Sequence, residues 1–334
     1  MMKTRKNLKL YVMMAMLTAV LSLNGWAKDG QPTITKTFDL NEPGMLKAAS
    51  SGGGVSVKTH NRTQVEIQAF VRKNGRLLSP SDRDLDEVLE DFDIDFSKSG
   101  STITAVVKRK SRMSFWRNNV GISLTIIVPE KMSCDVSSSG GGVKISGVQG
   151  THNFASSGGS VKLENTSGTT KASSSGGGVK ATKHIGDIRL SSSGGGVTVE
   201  DARGSVYARS SGGGVSLENI KGDADASSSG GGVRVSGELS AVKATSSGGS
   251  VRVNTSKLTD KLHLQSSGGG VSAVIHGGNK LGLDLDLRAG KVSVELNNFN
   301  GTSEKNRVKG AMNGGGIPVY AHASGGNVTI SWED

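Results

Sequence analysis

The hydrophobic residues that follow the glycine-rich runs recur at a fixed spacing. Successive members are 18 residues apart, with one later step of 20. Disordered glycine-rich sequence has no reason to keep such a register, whereas a fixed period of this length is typical of a solenoid whose units stack on one another. The members are Val143, Val161, Val179, Val197, Val215, Val233, Val251 and Val271, with weaker copies at Val292, Ile317 and Val328.

Within each unit, hydrophobic and polar residues alternate in two short segments. In one unit, Val197 and Val199 form the first segment, and Val206 and Ala208 form the second. This alternation predicts two β-strands, each with one buried face. A single glycine precedes the second strand and an SSGGG segment precedes the first, and glycine suits such corners because it adopts positive φ without steric penalty. The pattern predicts a single-stranded parallel β-solenoid with about 18 residues per rung, in which equivalent valines are neighbours.

The residues before the repeat follow a different pattern and predict an N-terminal capping region, residues 31–132. Most of its hydrophobic segments alternate like β-strands. One segment predicts a short helix, with Ser79 as the N-cap, Pro80 at the first helical position and Phe92 on the apolar face. A solenoid needs such a cap because an uncovered end would recruit other chains.

The two ends of the repeat are also predicted from the sequence. The SSGGG copy within residues 50–57 predicts a first rung beneath Ser138. Solenoid rungs and a C-terminal cap are expected over residues 133–334, with the bulky Tyr320 and Trp332 in that cap.

Residues 1–27 predict a secretory signal peptide. A basic head precedes the apolar run from Tyr11 to Leu23, and small residues at Gly25 and Ala27 suit cleavage. Removal of the four basic residues of the head lowers the formal charge of +11 by four, to +7. We expect the protein to be exported to the periplasm, the cell surface or the outer membrane, with no transmembrane segment in the mature chain.

The segment LTIIVPEKMSCDVSSSGGGVKI, the glycine-plus-valine rungs and the ending GGGIPVYAHASGGNVTISW resemble the bacterial putative-adhesin family of exported β-solenoid proteins. These are relatives of the auto-transporter-adhesin-like head domains, and the resemblance runs from about Thr33 to Trp332. It implies an all-β fold, a right-handed parallel β-helix, and a role in adhesion. Family members often carry a glycine and an aspartate at the corner. This chain has SSGGG there, so a ligand that contacts its corners would differ from a ligand that contacts the corners of those family members.

Composition and motif spacing argue against several kinds of site. Cys134 is the only cysteine, so an intramolecular disulfide and a thiolate metal cluster are excluded, and it is predicted to be buried. The glycine runs open strands without the lysine of a phosphate-binding loop and without the aspartate of a calcium-binding β-roll. The histidines lack metal-ligand spacing, and His152 aligns with inward valines, which predicts a structural role. We therefore expect no metal, no cofactor and, for an exported protein, no nucleic-acid partner.

Basic residues form the most regular surface pattern. Each of them directly follows an inward valine, so all are expected to point outward on one sheet. Such a row suits anionic glycans, lipopolysaccharide or cell-surface proteins, and simple solubility is the alternative explanation. The row consists of Lys144, Lys162, Lys180, Arg234 and Arg252.

A second candidate surface is the basic segment KRKSRMSFWRNN, which contains Phe115 and Trp116. A basic loop with two aromatic rings can lie on a membrane surface or stack on sugars. The alternative is that the rings pack against the capping helix.

Stacked carboxylates provide the one candidate for catalysis. Glu200 and Glu218 are 18 residues apart and Asp201 is adjacent, so the three would form a patch able to hold calcium in a polysaccharide lyase. The simpler interpretation is a solvated face paired with the basic row. We expect a non-catalytic, exported, putative adhesin that binds surface glycans or other envelope partners. A polysaccharide-processing, lyase-like enzyme is the alternative.

Overall fold

The structure is a computed structural model that describes residues 30–40, 43–110 and 120–333. From Gln31 onward the described residues form one compact unit, and the predicted all-β class is confirmed. The predicted signal peptide, residues 1–27, and the candidate surface residues Phe115 and Trp116 lie outside the described residues.

The helix of the N-terminal region is shorter than predicted. It begins after Asp84, because Ser79, the predicted N-cap, instead closes a separate turn in which its backbone N–H donates to Asp82 Oδ2 (2.6 Å). Phe92, predicted on the helix, begins a strand. The elements are β1 (Ile34–Asp39), β2 (Gly44–Ser50), β3 (Val55–His60), β4 (Gln64–Lys73), β5 (Arg76–Leu77), α1 (Leu85–Glu90), β6 (Phe92–Ser99), β7 (Thr102–Arg109) and β8 (Val120–Pro129).

The repeat region forms stacked rungs of parallel strands. Val179 pairs with Val197, and the same register joins the equivalent valines of the rungs on either side, so the predicted neighbour relation is confirmed. The strands are β9 (Met132–Ser138), β10 (Val143–Ser146), β11 (Gln149–Ser156), β12 (Val161–Ser174), β13 (Val179–Ile185), β14 (Ile188–Ser192), β15 (Val197–Arg203), β16 (Val206–Ser210), β17 (Val215–Ser228), β18 (Val233–Ser246), β19 (Val251–Thr255), β20 (Lys261–Ser266) and β21 (Val271–His276).

Each rung contributes one segment to each of two facing sheets. The front sheet is built from the segments that start at the repeat valines. The back sheet is built from the segments that end at the corner serines, such as Ser192. In the rung of β13 and β14, Val179, Ala181, Ile188 and Leu190 are buried between the sheets. The residues between them point to solvent, as period-two alternation requires.

The SSGGG corners are held by a column of buried serines. The Ser192 hydroxyl donates to the Gly177 carbonyl of the preceding rung (2.8 Å) and accepts from the Gly195 N–H of its own corner (3.0 Å). Each serine thus satisfies two backbone groups of the partly buried corners that would otherwise lack a partner. The same pair of bonds recurs at Ser138, Ser156, Ser174, Ser210, Ser228, Ser246 and Ser266.

The two kinds of corner need glycine for different reasons. At the single-glycine corners the expectation of positive φ is confirmed, for example at Gly186 (φ 117°). At the repeat SSGGG corners it is wrong, because their glycines do not adopt positive φ and are instead packed against the backbone of the neighbouring rungs. A Cβ on Gly195 would lie 2.5 Å from the Gly178 nitrogen, a distance that real Cβ atoms do not show.

At the N-terminal end, the first rung lies between two others. Val55 of β3 pairs with Val143 of β10 on one side and with Leu124 of β8 on the other. Likewise, β2 lies between β9 and β7. The predicted capping region and the rungs therefore share continuous sheets, and the boundary between residues 132 and 133 stays a prediction.

At the C-terminal end, the last two strands are inserted out of chain order. Val328 pairs with both Val271 and Val292 in the front sheet. Ile317 is not a front-sheet equivalent, because it pairs with Leu283 in the back sheet. The strands are β22 (Leu283–Arg288), β23 (Val292–Val294), β24 (Phe299–Ser303), β25 (Arg307–Met312), β26 (Ile317–Ala323) and β27 (Val328–Glu333).

Candidate ligand-binding faces

The strand register places the basic row on the front sheet in two groups. Lys162 lies between Lys144 and Lys180 on adjacent strands, and Arg234 lies beside Arg252. Adjacent strands are ~4.8 Å apart, so the side chains of each group project from closely spaced positions on one face.

Acidic residues pair with only part of the basic row. Lys180 Nζ lies 2.6 Å from Glu200 Oε1, and Lys144 Nζ lies 4.0 Å from Glu164 Oε2. Among the described residues, no ion pair joins Lys162, Arg234 or Arg252 to an acid. The pairs that do form are exposed and contribute little to stability, so the cations remain available to an anionic ligand.

A shallow depression of about 260 Å³ separates the two basic groups. It forms because Thr198 and Ser216 occupy the row positions of two consecutive rungs and their side chains are short. Arg234 and Arg252 line its far side. This depression was not predicted from the sequence, although Thr198 and Ser216 stand in the repeat at positions that are basic in other rungs.

The three predicted catalytic carboxylates lie together, as their spacing requires. Glu200 and Glu218 are direct neighbours on adjacent strands. Each acid has a partner: Lys180 for Glu200, the Ser216 hydroxyl for Glu218 (2.9 Å) and the Asn219 amide for Asp201 (3.1 Å). Within residues 30–40, 43–110 and 120–333, no three His, Cys, Asp or Glu side chains are grouped to hold a metal ion. Catalysis at this patch remains a prediction.

Asp201 also belongs to a column of left-handed backbone positions at the rung corners. Its φ is 57°, and the column continues at Asn165, Lys183 and Asn219 with φ of 50°, 56° and 56°. Asparagine and aspartate tolerate this conformation better than most residues. The corner geometry therefore accounts for Asp201 and for the asparagines equivalent to it.

The described start of the basic cap segment is tied to the capping strands. The Arg109 guanidinium lies over the Phe92 ring (5.0 Å), and Lys110 Nζ lies 3.7 Å from Asp93 Oδ1. These contacts place the base of the segment beside β6, and the role predicted for its two aromatic residues stays a prediction.

His152 is a buried core residue, as predicted. It lies beside Cys134 and Thr170 on adjacent strands and stacks on Phe154 at 5.5 Å. Neither ring nitrogen makes a hydrogen bond of normal geometry to another described residue, although the nearby Ser167 backbone favours the charged form. Burial, the main cause, lowers the pKa of His152 to about 4, and the charge of His184 lowers it further. Burial also raises the pKa of the Cys134 thiol to about 12.

We expect His152 to make the fold sensitive to acid. Its pKa in the folded chain lies below the usual 6.5, so the unfolded chain binds a proton more readily than the folded chain does. The contribution of His152 to the free energy of unfolding is therefore fully present above about pH 6.5 and is lost as the pH falls towards 4. Replacing His152 by leucine should reduce the difference in melting temperature between pH 7.5 and pH 4.5. The matched variant His322→Gln, on the outer surface, should melt like the unmodified chain at both pH values. An unchanged pH dependence in His152→Leu would contradict this prediction.

The fold can now be compared with known families and structures. A model of the family described as Toastrack DUF4097 matches residues 45–331. The chain belongs to this family. The Toastrack match confirms the predicted resemblance at the level of the family. No curated protein matches the chain in sequence.

Solved structures that are similar to this Toastrack chain include three from Parabacteroides species. A putative adhesin from Parabacteroides merdae is 12% identical, with 90% of this chain and 97% of that chain covered and a TM-score of 0.37. A putative adhesin from Parabacteroides distasonis is 11% identical, with coverages of 90% and 98% and a TM-score of 0.35. A putative lipid binding protein from Parabacteroides distasonis is 12% identical, with coverages of 90% and 97% and a TM-score of 0.34.

Among the residues that the structure describes, no helix has the length and apolar character needed to cross a membrane.

Proposed function

We propose that the protein is a non-catalytic, exported β-solenoid of the cell envelope that binds anionic glycans through its front sheet. The observation that carries the proposal is the register of the basic row, with Lys144, Lys162 and Lys180 on one side of the depression and Arg234 and Arg252 on the other. The predicted signal peptide supports export, and the right-handed β-helix implied by the resemblance is part of the proposal.

A row of cations on parallel strands suits a polymer better than a single small anion. The strands hold the cations at a regular spacing of ~4.8 Å, so an extended chain with repeated acidic groups can contact several rungs at once. Arginine binds carboxylate and phosphate groups through two parallel hydrogen bonds, and Arg234 and Arg252 present this chemistry at the edge of the depression. Phosphorylated lipopolysaccharide and carboxylated glycans share the anionic groups that these residues would recognise.

The test compares two variants with the same loss of charge. Arg234→Gln combined with Arg252→Gln removes two front-sheet cations beside the depression. Lys47→Gln combined with Lys171→Gln removes two exposed cations from the back sheet. Binding of the purified protein is measured on an array of carboxylated and phosphorylated bacterial glycans, including lipopolysaccharide, at low and high salt.

The front-sheet variant is expected to bind at least about tenfold more weakly, because it lacks two charge-assisted contacts. The back-sheet variant should bind like the unmodified protein, and binding of both should weaken as salt rises. Equal binding by the two variants, or no binding by the unmodified protein, would remove the front sheet from consideration.

A further inference from the structure

The outer row of the back sheet contains both tyrosines that follow the predicted signal peptide. Register places Tyr207 between Arg189 and Asp225 on adjacent strands, and Tyr320 between His263 and Asp286. The same order, a cationic or imidazole side chain, a tyrosine and an aspartate, therefore occurs twice on one face. In spatial order the row is Lys171, Arg189, Tyr207, Asp225, Lys243, His263, Tyr320 and Asp286.

A groove of about 340 Å³ lies beside Tyr207. Tyr207 and Lys243 stand on the strands either side of Asp225, and the shorter Asp225 side chain leaves the space between them. The apolar part of the lining comes from small or buried residues such as Ala224 and Val242. The groove is therefore polar at its rim and carries one aromatic wall.

The Tyr207 ring is held in place by two arginines. The guanidinium carbons of Arg189 and Arg209 lie 5.2 and 4.3 Å from the ring centroid, and Arg209 also donates to the Tyr207 hydroxyl. Arg209 is fixed in turn by a hydrogen bond to the Ser227 hydroxyl (2.7 Å). A ring positioned in this way loses little conformational freedom when a ligand binds.

Asp225 provides a partly exposed carboxylate in the groove. Its side chain is 33% exposed, whereas its Oδ1 is buried and lies 3.8 Å from Arg209 Nη2. A ligand hydroxyl can donate to the exposed part of this carboxylate in a charge-assisted hydrogen bond. Lys243 and Lys261 line the same groove and can donate to ligand oxygens.

These features together suit a sugar. The part of a tyrosine ring that its neighbours leave open contacts apolar C–H groups of a sugar, while carboxylate and ammonium groups at the rim bind its hydroxyls. Charges in the groove are nearly balanced, with Arg189, Lys243 and Lys261 opposed by Asp223, Asp225 and Asp260. This balance favours an uncharged ligand, in contrast to the front sheet.

The second copy of the pattern indicates a polymer rather than a single sugar. Tyr320 stacks on His263 with ring centroids 4.6 Å apart, and Asp286 is bound by Arg288 through two hydrogen bonds of 2.9 and 3.0 Å. Four strand steps separate Tyr207 from Tyr320, which corresponds to ~19 Å along the sheet. An extended oligosaccharide of several units can contact both rings.

We infer that the back sheet binds an uncharged polysaccharide, with Tyr207 and Tyr320 as the two aromatic contact residues and Asp225 as a hydroxyl acceptor. The inference rests on the proposed function in one respect, that the ligand is a glycan. It concerns the opposite face and a different class of glycan, so each can fail without the other.

Affinity electrophoresis in gels that contain a neutral soluble polysaccharide tests the inference, with laminarin, xyloglucan and dextran as separate probes. The protein is purified after expression of the full chain. Tyr207→Ala and Tyr320→Ala remove the rings, Tyr207→Phe keeps the ring without the hydroxyl, and Arg234→Gln with Arg252→Gln changes only the front sheet. Thermal melting of each variant identifies any loss of fold.

We expect at least one probe to retard the unmodified protein to the same extent at low and high salt. Tyr207→Ala should weaken binding at least about tenfold, as for the loss of a central aromatic anchor, and Tyr207→Phe should bind within about threefold of the unmodified protein. The front-sheet variant should bind neutral probes normally. The inference is overturned if no probe binds, or if folded Tyr207→Ala binds as tightly as the unmodified protein.

Binding to the array of anionic glycans distinguishes failure of the back-sheet inference from failure of the proposed function. Loss of anionic binding only in the front-sheet variant, together with no neutral binding, would leave the front-sheet proposal standing and reject the back-sheet inference. Neutral binding that depends on Tyr207, without anionic binding, would give the reverse result.

Discussion

Replacing Gly194 by alanine is expected to lower the free energy of unfolding by about 3 kcal/mol, at the upper end of the cost of overpacking. The new Cβ would overlap the Gly176 carbonyl oxygen of the neighbouring rung, and both atoms belong to the backbone stack. Relief requires the two rungs to separate, which weakens the ladder hydrogen bonds around the corner. Urea unfolding followed by circular dichroism measures the change.

Gly52→Ala is the matched control for this prediction. Gly52 is the first glycine of its SSGGG corner, as Gly194 is, but a Cβ there would lie 3.8 Å from the nearest atoms. We expect this variant to unfold within about 0.5 kcal/mol of the unmodified chain, as for an ordinary surface substitution. Similar losses in both variants would show that stacking of the corners is not what requires glycine.

Removing one corner serine is expected to cost about 2 kcal/mol. In Ser192→Ala, the Gly177 carbonyl and the Gly195 N–H lose their partner, and the corner is too tightly stacked to replace it easily. The expected result is a lower midpoint of urea unfolding and faster hydrogen exchange of the Gly195 amide. Exchange at the amides of distant rungs should change less, because each rung contacts only its neighbours.

Ser191→Ala tests whether stability depends on the buried position of the serine hydroxyl or on the loss of any serine from the motif. Ser191 is the exposed serine next to Ser192 in the same motif, so its replacement removes a hydroxyl without leaving a buried backbone group unpaired. We expect no measurable change in the unfolding midpoint. Equal destabilisation by the two variants would contradict a special role for the buried column.

The parallel register was predictable because the sequence repeats with a fixed period of 18 residues. Once Val179 and Val197 are taken as equivalent residues, period-two alternation fixes which side chains are buried and which lie on the outer rows. The predicted basic row therefore follows directly from strand pairing. The burial of His152 and Cys134 could be predicted for the same reason, since both occupy inward positions of the repeat.

Features that depend on contacts between rungs could not be read from a single motif. Alternation with Ile188 and Leu190 places Ser192 on the inward side, but its hydrogen bond joins residues 15 apart and could not be predicted from one motif. The three consecutive glycines are needed because the backbones of neighbouring rungs lie close to them, and this contact cannot be predicted from one motif. The position of Ile317 was misjudged because strands β26 and β27 pair outside chain order.

The candidate sites also could not be predicted from a single repeat motif. The depression in the front sheet arises from two short side chains, and the back-sheet groove arises from Asp225 between two longer neighbours. Both are differences in side-chain length along a row, which become visible only when the row is assembled. Tyr320 was expected in the C-terminal cap, and its place on the outer row of the back sheet became visible only from the pairing of β26 with β20.

Closure of both ends by strands that pair outside chain order restricts how such a protein can change in evolution. Loss of a terminal segment would remove a strand from between two others, as with β27 between β21 and β23. Tandem duplication or deletion of an internal 18-residue unit instead keeps every pairing in register. Gene rearrangements can therefore lengthen or shorten both outer faces in increments of ~4.8 Å, one rung at a time, without redesign of either terminus.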